Sequence, residues 1–241
     1  MFLEYSFEQL SDAVGIYTDA EHKFGTDAFL LADFSKPKHK DTVCDLCSGN
    51  GIVAVLMEKN SQPKKILAVE IQKEAVLLIE KTVEKSSLSN ITPLCADLCD
   101  TNALPFHGEF DLVTCNPPYK LNNTGAKNES EAFSIARHEI LCTAEDVSRT
   151  AAKLLKPGGR LCLCNRPERL CDVIISMKKY LIEPKRLRFV SKNAQSAPWL
   201  FLIEGKKGSK PFLQVEKPFF IHGENGLSDE LKKLYGKGEN E

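Results

Sequence analysis

The sequence is short of several things, and each shortage narrows what it can be. No apolar run approaches the ~18 residues that a membrane-crossing helix needs. The opening stretch MFLEYSFEQL carries Glu4 and Glu8 and no basic cluster, so it does not read as a secretory leader. No internal repeat is present, and the one stretch that reads as disordered is GKGENE near the C-terminus. A second cysteine pair is missing too. Cys44 and Cys47 make one CxxC, but Cys162-x-Cys164 does not complete a zinc pattern, so no metal is expected. Cys44, Cys115, Cys162 and Cys164 lie in apolar runs and read as small buried hydrophobes. The expectation is a cytoplasmic protein without disulfides and without a membrane partner.

What is present is ordinary in amount and unusual in arrangement. The 241 residues are 42% apolar and 27% charged, enough for one large α/β domain or two small ones. The net charge of −1 hides an asymmetry. Residues 1–148 hold 13 Lys/Arg against 23 Asp/Glu, and residues 149–217 hold 16 against 5. A basic back half suggests a negatively charged partner, or simply a solvated charged face.

Short apolar runs alternate with helical stretches. TVCDL (Thr42 to Leu46) reads as a buried strand, then Ile52 to Lys59 as a helix. KILAVE is a second strand ending on Glu70, followed by a helix over Gln72 to Ser86 with apolar residues at Ala75, Val76, Ile79 and Val83. NITPLCAD is a third strand that Pro93 weakens or moves outward. FDLVTC is a fourth. A helical region from about Glu129 to Leu155 is expected to end at KPGG, RLCLCN is a fifth strand, and Arg166 to Tyr180 a further helix. RLRFV and WLFLIEG read as two closing strands, placed to pair as a hairpin. Such alternation predicts an α/β fold with a largely parallel sheet covered on both faces.

In such folds, ligands sit beyond the C-terminal ends of the strands. The first strand is followed by Asp45, Gly49 and Gly51, the second ends on Glu70, the third on Asp97, and the fourth on Asn116-Pro117-Pro118-Tyr119. GNGIVA fits G-x-G-x-x-G/A, with Glu70 where a ribose-binding acid belongs. These features alone allow NAD or S-adenosylmethionine. Asp45 favours the latter, because a carboxylate there can meet an amino group and would repel a pyrophosphate. Asp97 can accept from an adenine amine.

Asn116 to Tyr119 suit methyl transfer to a nitrogen whose lone pair is delocalised. The Asn116 side-chain oxygen and the Pro117 carbonyl can accept the two N–H bonds, and both interactions strengthen as charge grows on nitrogen. Tyr119 offers a stacking face, worth roughly 1–3 kcal/mol for a base.

DLCSGNG, Glu70 and NPPY resemble class I S-adenosylmethionine-dependent methyltransferases of the nitrogen-methylating type. One departure is Cys47, where the family pattern has glycine. HKFGTDAFLLADF (His22 to Phe34), ARHE (Ala136 to Glu139), LLKPGG, RPERL and EPKRLRFV extend the likeness to the bacterial valine-tRNA adenine-N6 methyltransferases. That resemblance implies a Rossmann-like domain over residues 1–221, with residues 1–40 as a cap segment and 222–241 as a tail with a short helix. Its sheet would be seven-stranded and end in an antiparallel strand. It further implies S-adenosylmethionine as cofactor, with Thr26, Asp27, Asp45, Cys47, Gly49, Gly51, Glu70, Asp97 and Asn116 around it. The acceptor would be the adenine beside the anticodon, flipped out to reach Asn116. Lys120, Arg137, Arg166 and Arg169, with Tyr119, are candidate RNA contacts, and the basic stretch would face tRNA phosphates. NPPY also suits guanine-N2 and glutamine-N5 acceptors, and an RNA-binding protein on an inactive fold stays open.

Overall fold

The structure is a computed structural model and describes residues 5–100, 102–104, 106–118, 142–224 and 226–236. Its centre is a nine-stranded sheet. Five parallel strands form one part: β3 (Thr42–Leu46), β4 (Lys65–Glu70), β5 (Ile91–Cys95), β6 (Phe110–Cys115) and β7 (Leu155–Asn165). Strand β9 (Pro198–Lys207) runs antiparallel between β7 and β8 (Ile182–Ser191). The order is β5-β4-β3-β6-β7-β9-β8, with two-residue strands β10 (Gln214–Val215) and β11 (Phe219–Phe220) added beside β8. The expected seven strands are therefore joined by two more. These are too short to announce themselves in a hydrophobic pattern.

β3 is central, so both faces of Thr42–Leu46 are covered and its run is nearly continuous in apolar residues. Helices α1 (Thr26–Ser35), α2 (Ile52–Ser61) and α3 (Lys73–Lys85) cover one face. Helices α4 (Ala144–Leu154) and α5 (Leu170–Lys179) cover the other. Residue alternation along β3 follows this: Val43 packs with the first group, Cys44 and Leu46 with the second. A hairpin of β1 (Ser6–Gln9) and β2 (Gly15–Thr18) packs near α3, where Tyr17 N–H donates to Thr82 Oγ1 at 2.9 Å. The pair β12 (His222–Gly223) and β13 (Gly226–Leu227) leads into helix α6 (Asp229–Leu234), whose Leu231 is buried in the α1 core.

Two sequence expectations need correction. KPGG does not cap the preceding helix. Helix α4 stops at Leu154, Leu155 is already extended, and Pro157 to Gly159 form an irregularity within β7 between its pairings at Leu155 and Arg160. Gly158, at φ 77°, supplies the left-handed residue this needs. The part of the expected helix from Glu129 to Leu141 lies outside the described residues. The helix expected from Arg166 begins instead with a 3-10 turn at Pro167–Arg169, because Pro167 is suited to a helix start. Pro93 does sit in a strand, and that strand is the sheet edge, where one lost donor is tolerated.

Candidate active site

The parallel strands β3 to β6 end at one crevice. Beyond β3 the chain turns through Cys47, Ser48, Gly49, Asn50 and Gly51. Three of these residues are left-handed: Cys47 at φ 54°, Gly49 at 56° and Gly51 at 89°. Glycine takes such angles freely, whereas a residue with a Cβ is strained there by about 1–2 kcal/mol. Cys47 therefore occupies a position whose backbone geometry asks for glycine. Gly51 has a second reason. A Cβ there would lie 3.0 Å from Ile79 of α3, so this glycine serves helix packing.

Glu70, at the end of β4, is buried and holds this turn in place. Its Oε2 accepts from the Gly49 N–H at 2.9 Å, and its Oε1 accepts from Ile71 and Gln72 N–H at 2.9 and 3.0 Å. A carboxylate has about four lone-pair directions. One on Oε2 remains for a ligand hydroxyl.

Asp45 is 1% exposed and lies beneath the turn. Thr114 Oγ1 donates to one of its oxygens at 2.6 Å and Ser48 Oγ to the other at 2.7 Å. Burial raises its pKa to about 6, against the pull of those two hydroxyls.

Asn116 follows β6. Its Nδ2 donates to Asp27 Oδ2 at 3.1 Å, and the Cys164 thiol donates to its Oδ1 at 3.0 Å. Asp27 stands in the first turn of α1, and Cys164 near the end of β7. Asp97 follows β5 and accepts from the Cys99 N–H at 2.8 Å.

A cavity of about 290 Å³ opens between these groups. Asp27, Cys47, Gly49, Glu70, Asp97 and Asn116 all line it. Thr26, Asp45, Gly51 and Pro117 do not. Thr26 turns to Tyr235, with the two hydroxyls 2.8 Å apart. Arg166 donates to the Trp199 carbonyl at 3.0 Å, and Arg169 pairs with Asp172 at 3.4 Å; neither lines the cavity. Tyr119, Lys120, Arg137 and His138 lie outside the described residues.

The cavity also holds residues that the sequence did not single out. His22 lines it, with Nδ1 3.0 Å from both Asp19 carboxylate oxygens and Nε2 3.3 Å from Gln72 Oε1. Asp19 and His22, three residues apart in one loop, were the only local signal. Cys142 lines it as well, its sulfur 3.9 Å from that of Cys47. The neighbouring Cys115 thiol and burial together hold the Cys47 thiol well above the ordinary thiol range. It is a neutral wall of the cavity.

A turn after β3 locked by the acid that ends β4, a second acid beyond β5 and an amide beyond β6 define an α/β protein of the methyltransferase type. The family model described as methyltransferase small domain matches residues 8–181, and the chain belongs to that family. Among curated relatives, the "tRNA1(Val) (adenine(37)-N6)-methyltransferase" of Parabacteroides distasonis is 27% identical over 188 residues, covering 76% of each chain. The protein of that name from Glaesserella parasuis is 23% identical over 218 residues, 83% of this chain and 90% of its own. Among solved structures, a predicted O-methyltransferase from Agrobacterium tumefaciens aligns with TM-score 0.70 at 20% identity, covering 88% of this chain and 96% of that one. TYW2 from M. jannaschii, solved in complex with AdoMet, aligns at 0.57 with 13% identity, covering 86% and 87%.

Proposed function

We propose that the chain is an S-adenosylmethionine-dependent methyltransferase acting on the exocyclic N6 of an adenine in tRNA, beside the anticodon of a valine tRNA. The observation that carries this is the placement of Asn116 on the same cavity as Glu70 and Asp97. The names of its relatives point to the same acceptor.

The donor set fits the cofactor. Glu70 has a lone pair left for a ribose hydroxyl, and Asp97 is an acceptor for an adenine amine. The Gly49 Cα borders the cavity with nothing within 4 Å of where a Cβ would stand, which leaves room for a ligand. Asp45 acts from below the turn, through Ser48 or a water. When bound, S-adenosylmethionine supplies a methyl group on a positively charged sulfur.

The chain's own residues do the rest. Asn116 Oδ1 accepts one N–H of the target amine, and the carbonyl of Pro117, which stands between two cavity-lining residues without lining the cavity itself, accepts the other. Neither needs to remove a proton beforehand. Both favour the nitrogen's change from planar to tetrahedral, and both bind more strongly as positive charge develops there. Positioning contributes the remainder. Tyr119 is the stacking face for the flipped base, and Lys120 and Arg137 are further candidate RNA contacts.

The RNA contact is narrower than the basic stretch as a whole. Lys206 and Lys207 pair opposite Arg160 and Ile182, at the sheet end away from the cavity. Arg166, Arg169 and Lys192 follow the strand ends nearer to it. We assign the phosphate contacts to these three.

The test is transfer of labelled methyl to total tRNA, followed by nucleoside analysis. Label in N6-methyladenosine supports the reading. Label confined to N2-methylguanosine or N5-methylglutamine overturns the acceptor, and no transfer at all overturns the activity. Asn116→Ala should abolish transfer and leave cofactor affinity within about threefold, the signature of a transition-state contact.

A further inference from the structure

We propose that Asp27 is a positioning residue that fixes which way the Asn116 amide faces. This rests on the functional reading above for its catalytic meaning, but not for its geometry. An asparagine amide can turn over, exchanging its oxygen and its NH2. The two orientations are similar in shape and opposite in chemistry. With Oδ1 toward the acceptor amine, Asn116 accepts an N–H. With NH2 forward, it presents donors to a group that is itself a donor, and binding is repulsive.

Two neighbours break this symmetry. Asp27 Oδ2 is 3.1 Å from Asn116 Nδ2. An ionised carboxylate has no proton to give, so only the NH2 side can face it. On the other side, the Cys164 thiol lies 3.0 Å from Oδ1 and donates to it. A thiol is a weak donor, so it marks the oxygen's position without competing strongly with an incoming amine. The carboxylate bond is charge-assisted and is the stronger determinant. Asn116 comes from the end of β6 and Asp27 from the first turn of α1, 89 residues earlier. The amide is thus oriented by an element that precedes the whole sheet core in sequence.

Asp27 also lines the cavity, so a direct cofactor contact is the competing role. The two roles separate in kinetics. If Asp27 acts through Asn116, then Asp27→Ala and Asp27→Asn should lower kcat at saturating cofactor by about 10- to 100-fold, the scale of losing one preorganised polar contact. The calorimetric Kd for S-adenosylhomocysteine should change by less than about threefold. In an Asn116→Ser background, Asp27→Ala should cost less than about twofold, because the two act as a unit. A Kd that rises with kcat unchanged overturns the proposal, and so do multiplicative effects in the double variant.

A readout independent of any acceptor accompanies this. In 15N-labelled protein, the Asn116 side-chain amide pair is identified by its loss in Asn116→Ala. It should shift and exchange faster with solvent in Asp27→Ala. An unmoved pair overturns the proposal even if methyl transfer to tRNA is confirmed. A shifted pair in a protein that methylates another acceptor keeps it and corrects only the acceptor.

Discussion

Asp45 illustrates what one residue does when the fold surrounds it. It was legible as an acid at a strand end. Its burial was not, because burial depends on Thr114 from β6 and Ser48 from the turn closing over it. With a folded pKa of about 6, above the ordinary carboxylate value near 4, the folded state holds the proton more tightly than the unfolded chain does. The stabilising share is therefore complete below about pH 4 and is lost as pH rises through about 6. Above that, the ionised carboxylate costs up to about 3 kcal/mol, two pKa units' worth. Asp45→Asn should remove that cost. Urea titrations of both proteins should show the variant gaining on the parent between pH 4.5 and pH 7. A difference that does not vary with pH would refute the assignment. Cys47 is the companion case: it was readable as a departure from a glycine pattern, and the backbone at φ 54° shows that the position still has glycine's geometry.

At the scale of elements, α6 ties the far end of the chain to the front of the site. Leu231 is 1% exposed and packs in the α1 core. Tyr235 meets Thr26 through its hydroxyl and Phe29 edge-on, with ring centroids 4.9 Å apart. Glu230 accepts a two-pronged bond from Arg188, each at 2.8 Å. Thr26 is next to Asp27, so this short helix braces the turn that carries a cavity residue. Leu231→Ala should cost about 2–4 kcal/mol. It should also speed hydrogen exchange at the amides of Ala28 to Leu30. Unchanged exchange there would mean that α6 is a passenger. None of this was visible in local pattern, because a six-residue helix has no periodicity to read. The strands were readable for the opposite reason: their apolar runs are set by burial on both faces.

For the whole molecule, the charge asymmetry has a structural share that composition could not reveal. Glu204 of β9 is 8% exposed and accepts from Arg160 at 2.9 Å and Arg186 at 3.0 Å. Those guanidinium groups also donate to the Ser35 and Phe34 carbonyls at the end of α1. Burial alone would raise the Glu204 pKa, but the two arginines bring it below the ordinary glutamate value. Arg149, Lys178, Lys179 and Arg188 are likewise paired with acids. Part of the basic excess is therefore paired within the molecule, and Arg160 and Arg186 tie β7 and β8 to α1. Glu204→Ala would leave Arg160 with Asp41 at 3.7 Å and Arg186 with Glu216 at 3.0 Å, and should cost about 1–3 kcal/mol in urea unfolding. A loss below about 1 kcal/mol would show that the α1 carbonyls, Asp41 and Glu216 satisfy the arginines without Glu204.

The sequence by itself determined the alternation of strands and helices, and hence a parallel sheet with a crevice at its strand ends. Those features follow from hydrophobic period and turn chemistry, which are local. It also marked the acids and the amide that stand at that crevice. Only the tertiary structure decided which of them reach the cavity. Asp45 and Glu70 are both strand-end acids on neighbouring strands, yet one lies under the turn and the other on the cavity wall. The partner of Asn116 was decided in the same way, because Asp27 and Cys164 are brought to it from α1 and β7 by the order in which the strands pack. Hydrogen-bond partners across such separations depend on that packing order, and no local pattern encodes it.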